Sequence, residues 1–222
     1  MIFHTFARSA VTPLVRLTCR LQVEGVHNVA RRGPLILASN HLSFVDSFVL
    51  PVAARRSVAF IGKAELFEAH SVKGHLRSAA FKAVGTIPVE RGARHNTLAP
   101  LKAAQNLLAL GEAIGIYPEG SRSRDGRLYE GHPGAAWLSI RTGIPVVPVG
   151  LLGTDQVLPI GGRVPRFGRV IVQFGAPIDP SRYAYSKPAT ARRMYTEEIM
   201  SRIHFITGQE KAQGLNTLSV GS

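Results

Sequence analysis

Cysteine and acidic residues are scarce in this 222-residue chain. With a single cysteine, Cys19, internal disulfides and thiolate metal cages are excluded. The apolar neighbours of Cys19 in the sequence predict that it is buried and packs in the core. Only 14 Asp and Glu residues oppose 27 Lys and Arg residues, which gives a formal net charge of +13. This imbalance favours an anionic partner: a nucleic acid, an anionic membrane surface or a phosphorylated small molecule.

Several catalytic signatures are also missing. The chain has no H-E-x-x-H helix and its eight histidines are scattered, so the usual zinc-hydrolase arrangement is excluded. It has neither a G-x-x-x-x-G-K-[ST] loop nor a G-x-G-x-x-G after its first strand, which excludes two common nucleotide-binding loops. Because no G-x-S-x-G elbow is present, a serine acyl-enzyme lacks its usual scaffold. We therefore expect no metal and no resident cofactor.

Long apolar runs are missing too. None approaches the roughly 20 residues that a membrane-spanning helix needs, and arginines interrupt any signal-peptide core. Residues 1–20 show instead the spacing of an amphipathic helix, kinked at Pro13. The pattern fits a helix lying in the bilayer interface or one packed on the core, and its basic stripe favours the membrane surface. The apolar positions are Ile2, Phe3, Phe6, Ala10, Leu14, Leu17 and Leu21, and the polar stripe holds Arg8, Thr12, Arg16 and Arg20.

The rest of the chain alternates short apolar runs with helical patterns. This alternation predicts an α/β fold, a mixed β-sheet covered by helices, for a domain of residues 21–207. Residues 208–222 are predicted to be a frayed polar tail. The predicted strands are 21–25, 35–39, 58–61, 86–89, 113–117, 145–149 and 170–174, and the predicted helices are 63–68, 70–82, 96–110, 133–142 and 188–205.

The segment from Asn40 to Asp46 carries the first candidate catalytic groups. Histidine is the side chain best suited to take a proton near neutral pH, and a nearby carboxylate can fix its tautomer. Because positions five apart point away from each other within one helix, His41 must precede the helix to meet Asp46. Ser43 followed by Asp46 is typical of a helix start and predicts a helix from Phe44. Taken alone, the spacing is more often an ordinary loop histidine beside a capping aspartate.

Two further loops carry groups suited to anions. In the first, residues 85–92, a β-branched strand ends in a charged pair and delivers Arg91 to a loop. In the second, residues 114–123, a buried strand ends at a proline and is followed by a glutamate, a glycine, a serine and Arg122. Gly120 would let the backbone approach an anion closely. The alternative for Arg91 is a solvated surface arginine, and the alternative for residues 114–123 is an ordinary turn.

Taken together, four segments in order resemble the glycerolipid acyltransferases of the 1-acyl-sn-glycerol-3-phosphate acyltransferase (PlsC-like) family. Asn40 to Asp46 resembles the N-H-x4-D signature, and residues 85–91 resemble G-x-I-P-V-x-R. Tyr117 to Ser123 resembles F/Y-P-E-G-T-R-S, and Ile144 to Val149 resembles a proline-containing strand. The match runs from about residue 23 to residue 174, and four collinear segments are far more specific than any one of them.

The resemblance implies an enzyme of phospholipid biosynthesis that transfers an acyl chain to the sn-2 hydroxyl of lysophosphatidic acid. His41 would be the general base and Asp46 would orient its imidazole. The acyl donor would be a co-substrate, either acyl-coenzyme A or an acyl carrier protein. The resemblance assigns the acceptor phosphate to Arg91, Glu119, Gly120, Ser121 and Arg122.

Two alternatives to this function stay open. A related acyltransferase could use another acceptor, such as glycerol-3-phosphate, another lysophospholipid or a lyso-ornithine lipid. A basic protein without catalysis could bind a membrane or a nucleic acid, and the arginines at 163, 166 and 169 support it. No aromatic residues interleave with these arginines as base stacking would need, so we expect no nucleic-acid partner. An anionic bilayer suits the basic charge, and we predict a peripheral enzyme on the cytoplasmic face of the cell membrane.

Overall fold

The centre of the molecule is a seven-stranded mixed β-sheet. The computed structural model describes residues 12–13, 15–63, 86–89 and 98–216. Nine strands lie in these ranges: β1 (Gln22–Glu24), β2 (Leu35–Ser39), β3 (Ala59–Lys63), β4 (Thr86–Val89), β5 (Ala113–Ile116), β6 (Leu128–Glu130), β7 (Val146–Leu152), β8 (Ile171–Phe174) and β9 (Lys211–Leu215). The main sheet has the order β1-β8-β7-β2-β5-β3-β4, and β6 and β9 form a separate pair.

Strand directions bring several chain segments to one edge of this sheet. β2 pairs in parallel with β5 and β7, and β3 pairs in parallel with β4 and β5. β8 returns antiparallel to β7, and β1 runs parallel to β8. The loops that follow β2, β5 and β7 therefore leave the same carboxyl edge, and the chain enters β1 from that edge as well.

Helices cover both faces of the sheet. The α-helices are α1 (Asp46–Ala53), α2 (Leu98–Ala109), α3 (Gly134–Thr142), α4 (Thr154–Val157) and α5 (Pro188–Thr207), with 3-10 turns at Val26–Asn28 and Pro180–Tyr183. α1 packs in one core, and α2, α3 and α5 pack in the other. Leu37 belongs to the first core and Ile36 to the second, because neighbouring strand residues face opposite sides. The predicted mixed sheet covered by helices is confirmed.

The N-terminal helical residues contact the first core. Residues 12–13 and 15–19 are helical, and residues 1–11 lie outside the described ranges. Val15 and Cys19 are buried, which confirms the predicted burial of the cysteine. Leu17, which the sequence placed on the apolar stripe, is 68% exposed. Across the ranges given above, no helix combines the length and apolar character needed to cross a bilayer.

The C-terminal tail differs from the prediction. Instead of a frayed tail from Gly208, Lys211–Leu215 form β9 and pair with β6, while residues 217–222 lie outside the described ranges. A short strand of mixed polarity carries little hydrophobic periodicity, so β6 and β9 gave no clear pattern in the sequence. The two helices predicted between residues 63 and 82 also lie outside the described ranges, except for Lys63, which ends β3.

Candidate active site

The site begins where β2 ends. Asn40 follows the strand and is fully buried. Its side-chain amide donates to the carbonyl of Leu151 (2.9 Å) and accepts from the Leu151 N–H (2.8 Å). Because Leu151 lies on the neighbouring β7, this double hydrogen bond fixes the turn to the sheet at the point where β2 delivers His41.

His41 and Asp46 meet, because His41 lies before the helix that begins at Asp46. The Nδ1 atom of His41 lies 2.8 Å from Oδ2 of Asp46, which is fully buried. The same oxygen accepts the backbone N–H groups of Leu42 and Ser43, each at 2.8 Å. An ionised carboxylate only accepts hydrogen bonds, so Nδ1 carries the proton and Nε2 is the basic nitrogen.

The helix start differs slightly from the prediction. α1 begins at Asp46 rather than Phe44. The Asp46 carboxylate bonds the Ser43 N–H as in a capping box, but the Ser43 hydroxyl donates to the carbonyl of Leu158 at 2.6 Å. Residues 44–45 form a turn instead of a first helical turn. The serine therefore ties the turn of residues 40–46 to the segment after α4.

Tyr117 fixes the plane of the imidazole. Its ring stacks on that of His41 with centroids 3.8 Å apart and an interplanar angle of 9°. The Tyr117 hydroxyl lies 3.0 Å from the hydroxyl of Ser47, which holds the phenol in turn. Across residues 15–63 and 98–216, no protein group bonds to Nε2 of His41. The stacking and the Asp46 contact thus hold the imidazole in one orientation.

Glu119 lies behind His41 rather than in contact with solvent. It is fully buried, and its two carboxylate oxygens accept the backbone N–H groups of His41 (3.0 Å) and Tyr129 (3.1 Å). Burial raises the pKa of Glu119 to about 7, although these two hydrogen bonds lower it. A buried carboxyl group whose two oxygens both accept backbone N–H groups does not suit direct phosphate contact, so its position corrects the role that the sequence suggested.

The turn after Glu119 needs a glycine. Gly120 has a φ of +75°, and a Cβ there would lie 3.0 Å from the ring of His132. Its N–H already donates to the carbonyl of Tyr117 at 3.0 Å. The Ser123 N–H donates to the carbonyl of His41 at 2.8 Å. The loop after β5 therefore holds His41 through both its backbone N–H and its carbonyl.

Ser121 and Arg122 remain as groups for an anionic ligand. The Ser121 hydroxyl is buried, and within the described part of the chain it has no hydrogen-bond partner. Arg122 is exposed, and the buried Asn216 donates to its carbonyl at 3.2 Å. Arg91 lies outside the described ranges, so its predicted phosphate role stays a prediction.

Sequence reasoning gave no role to three residues that shape this site. Tyr117 could have been noticed as an aromatic residue at the end of a buried strand, beside the Pro-Glu-Gly turn. Gln209 accepts from the Asn40 amide at 2.9 Å, and Asn216 bonds the loop of Arg122. These two polar residues follow the closing helix and carried no sequence signal. In the ranges described above, no three His, Cys, Asp or Glu side chains lie together as a metal site.

Comparisons with known proteins agree with this architecture. The acyltransferase family model matches residues 20–152. A chloroplastic 1-acyl-sn-glycerol-3-phosphate acyltransferase of Arabidopsis thaliana is 32% identical over 165 residues, covering 73% of this chain and 45% of the relative. The human 1-acyl-sn-glycerol-3-phosphate acyltransferase alpha is 29% identical over 132 residues, covering 59% of this chain and 44% of the relative. The chain thus spans less than half the length of these two relatives.

A solved structure shares the fold. The crystal structure of the 1-acyl-sn-glycerophosphate acyltransferase PlsC from Thermotoga maritima superimposes with a TM-score of 0.65 at 28% identity, covering 90% of this chain and 76% of that one. The family match includes β2, the His41–Asp46 turn and β7. The chain belongs to the acyltransferase family that contains the 1-acyl-sn-glycerol-3-phosphate acyltransferases.

Proposed function

We propose that this protein transfers an acyl chain from a thioester to the sn-2 hydroxyl of lysophosphatidic acid, giving phosphatidic acid. The observation that carries the proposal is the His41–Asp46 pair, with Nδ1 on the carboxylate and Nε2 without a protein partner in the described part of the chain. The names of the similar proteins supply the acceptor.

In the proposed reaction, Nε2 of His41 takes the proton of the acceptor hydroxyl while that oxygen attacks the thioester carbonyl carbon. The carbon–sulfur bond then breaks, and the sulfur leaves with the electron pair. The imidazolium returns its proton to the thiolate, so the products are an ester and a free thiol. The buried carboxylate of Asp46 stabilises the imidazolium between these two transfers.

Direct transfer fits the surrounding hydroxyls better than an acyl-enzyme. The Ser43 hydroxyl donates to a backbone carbonyl, and that of Ser47 is paired with Tyr117. The Ser123 hydroxyl bonds Arg127 and Asp125. None of these three hydroxyls is bonded to the imidazole, so none is activated as a nucleophile.

The acceptor phosphate is assigned to the loop after β5. Arg122 offers a planar fork of donors, and the unpartnered Ser121 hydroxyl offers one more hydrogen bond. In this proposal Gly120 keeps the turn tight and Glu119 holds it against His41, so neither contacts the phosphate. Arg91, which follows β4 in the sequence, is the second arginine in the proposal.

Another acceptor is the second candidate. The proposed base and the proposed arginine suit glycerol-3-phosphate or another lysolipid as well as lysophosphatidic acid. The donor is equally open, since coenzyme A and acyl carrier protein are both anionic and suit a net charge of +13. With such lipid substrates, we place the protein at an anionic membrane surface.

The test is acyl transfer from oleoyl-coenzyme A to oleoyl-lysophosphatidic acid in detergent. His41→Ala should lower the rate by about 10²–10⁴-fold, whereas His27→Ala, a change of an exposed histidine, should not. A His41→Ala variant with the wild-type rate would remove this residue from the mechanism. A wild type silent with both donors and with all the acceptors named above would overturn the proposed activity.

The phosphate assignment has its own comparison. Arg122→Ala should raise KM for the phosphorylated acceptor more than for oleoylglycerol, which has no phosphate. Arg124→Ala removes a neighbouring exposed arginine and serves as the matched control. Equal losses for both acceptors would contradict the assignment.

A further inference from the structure

A basic and apolar segment connects α4 to β8. This arginine loop, residues 158–170, contains no acidic residue, and none occurs anywhere between Asp155 and Asp179. Three arginines alternate along it with apolar residues. The arginines are Arg163, Arg166 and Arg169, and the apolar residues are Ile160, Val164 and Phe167.

The arginine loop lies beside the active site. The Ser43 hydroxyl donates to the carbonyl of Leu158 where the loop begins. Further along, the Gly168 N–H donates to the carbonyl of Thr18 at 3.0 Å, and the Val170 N–H donates to that of Cys19 at 2.8 Å. The loop therefore bridges the catalytic turn and the N-terminal helical residues, all at the carboxyl edge of the sheet.

The apolar side chains here point to solvent. Val164 is 74% exposed, Phe167 is 72% exposed, and the neighbouring Leu17 is 68% exposed. Arg163 and Arg166 are exposed as well, and across the described ranges neither contacts a carboxylate. Exposed apolar residues interspersed with arginines in one segment are typical of an interaction site rather than of ordinary surface.

We propose that the arginine loop and Leu17 dock on an anionic lipid bilayer. Phe167, Val164 and Leu17 would enter the boundary between headgroups and acyl chains, while the arginines would meet lipid phosphates. Docking through this surface would place the carboxyl edge, and with it His41, at the level of a lipid's headgroup. The inference adds a location to the proposed function and concerns binding, so it does not depend on turnover.

Charge complementarity and shape favour a bilayer over other anionic partners. A single-stranded nucleic acid would need several aromatic side chains on which its bases could stack, and the arginine loop has one aromatic residue, Phe167. A duplex would contact the arginines but leave the protruding apolar side chains in water. A bilayer interface accommodates both kinds of side chain at once.

The test is co-sedimentation of the full chain with two kinds of vesicle, one of phosphatidylcholine alone and one of equal parts phosphatidylcholine and phosphatidylglycerol. Wild type should bind the anionic vesicles more tightly, and added salt should weaken that binding. Phe167→Ser should weaken partitioning roughly tenfold because an apolar insertion is lost. Arg163→Gln with Arg166→Gln should weaken it by at least roughly tenfold on anionic vesicles, and much less on neutral ones.

Matched controls come from the opposite edge of the sheet. Leu110→Ser removes a side chain that is 78% exposed, comparable with Phe167. Arg31→Gln with Arg32→Gln removes two exposed arginines that precede β2. These variants should bind like wild type. If they lose as much binding as the loop variants, net charge and non-specific hydrophobic adsorption explain the association, and the proposed surface is wrong.

A fluorescence measurement reports on the loop itself. Trp137 is the chain's one tryptophan, so Phe167→Trp adds a second that can be read by difference. Anionic vesicles should shift its emission to the blue, as expected for an indole entering the interface. No shift despite vesicle binding would overturn the proposal, as would loop variants that lose binding to an oligonucleotide or an acidic carrier protein but keep wild-type vesicle binding. The loop variants should retain wild-type folding by circular dichroism and wild-type turnover of a short-chain, water-soluble acceptor.

Discussion

Replacing Asp46 by asparagine separates the charge of this side chain from its hydrogen bonds. Oδ2 accepts the backbone N–H groups of Leu42 and Ser43 in addition to Nδ1 of His41. An amide NH₂ in that place would face two backbone donors, so the asparagine must put its carbonyl oxygen there. The Nδ1 proton then still finds an acceptor, and the basic nitrogen of His41 remains Nε2. Asp46→Asn is thus expected to preserve the tautomer and remove only the negative charge.

The expected loss follows from that one change. A hydrogen bond to a charged group contributes about 1.5–3 kcal/mol against about 1 kcal/mol for a neutral one, so the imidazolium loses about 1–2 kcal/mol of stabilisation. That corresponds to a fall in kcat of about 5- to 30-fold. Asp46→Ala removes the acceptor altogether and frees the ring to adopt either tautomer. Most of the general-base contribution should then disappear, about 10²–10⁴-fold.

The assay is kcat for oleoyl transfer at a saturating concentration of acceptor, on variants whose folding has been verified by circular dichroism. Asp155→Asn, which changes an exposed carboxylate at the same edge of the sheet, is the control. If Asp46→Asn is as inactive as Asp46→Ala, the tautomer is not preserved and the reasoning from the two backbone donors fails. If it equals wild type, the carboxylate charge has no part in catalysis.

Three more outcomes follow from contacts around the pair. Tyr117→Leu removes the ring stacked on His41 and should lower kcat roughly tenfold with KM unchanged. Tyr117→Phe keeps the ring and should have the wild-type rate. A loss confined to KM would contradict the inference that Tyr117 positions the imidazole of His41. The raised pKa of Glu119, about 7, means that its contribution to the free energy of unfolding is present below pH 4.5 and is lost as pH rises to about 7. Glu119→Gln should therefore gain about 3 kcal/mol relative to wild type between pH 4.5 and 7.5 in urea unfolding, and parallel curves would contradict this. Gln209→Ala removes a partner of Asn40 and should cost about 1 kcal/mol in urea unfolding, with no change expected for the exposed Gln213→Ala.

The central part of the fold could be predicted because its signals are local. The run of β2 is apolar at successive positions, as a strand buried on both faces requires, and the structure places that strand in the middle of the sheet. The contact between His41 and Asp46 needed more than local spacing, which taken alone favours an ordinary loop histidine beside a capping aspartate. The four collinear segments were needed to predict the pair. The helix start itself moved by two residues because the Ser43 hydroxyl bonds Leu158, a contact 115 positions away that no local rule contains.

The role of Glu119 could not be read from the sequence for the same reason. A glutamate after a strand and before a glycine has the appearance of a ligand-facing residue in a turn. Whether it faces a ligand depends on the donors behind it, and these come from His41 and Tyr129, 78 and 10 positions away. Once both carboxylate oxygens accept backbone N–H groups in a buried place, the side chain holds the site together instead of binding a phosphate.

Two residues after Gly208 contact the segments that form the site. Gln209 bonds Asn40 on one side of His41, and Asn216 bonds the carbonyl of Arg122 on the other. Both residues lie beyond residues 20–152, where the family match ends. Each contact is one neutral hydrogen bond worth about 1 kcal/mol, so each adds a small increment to the free energy of unfolding. The segment after Gly208 therefore joins the turn of His41 to the loop of Arg122 through two residues that lie outside the family match.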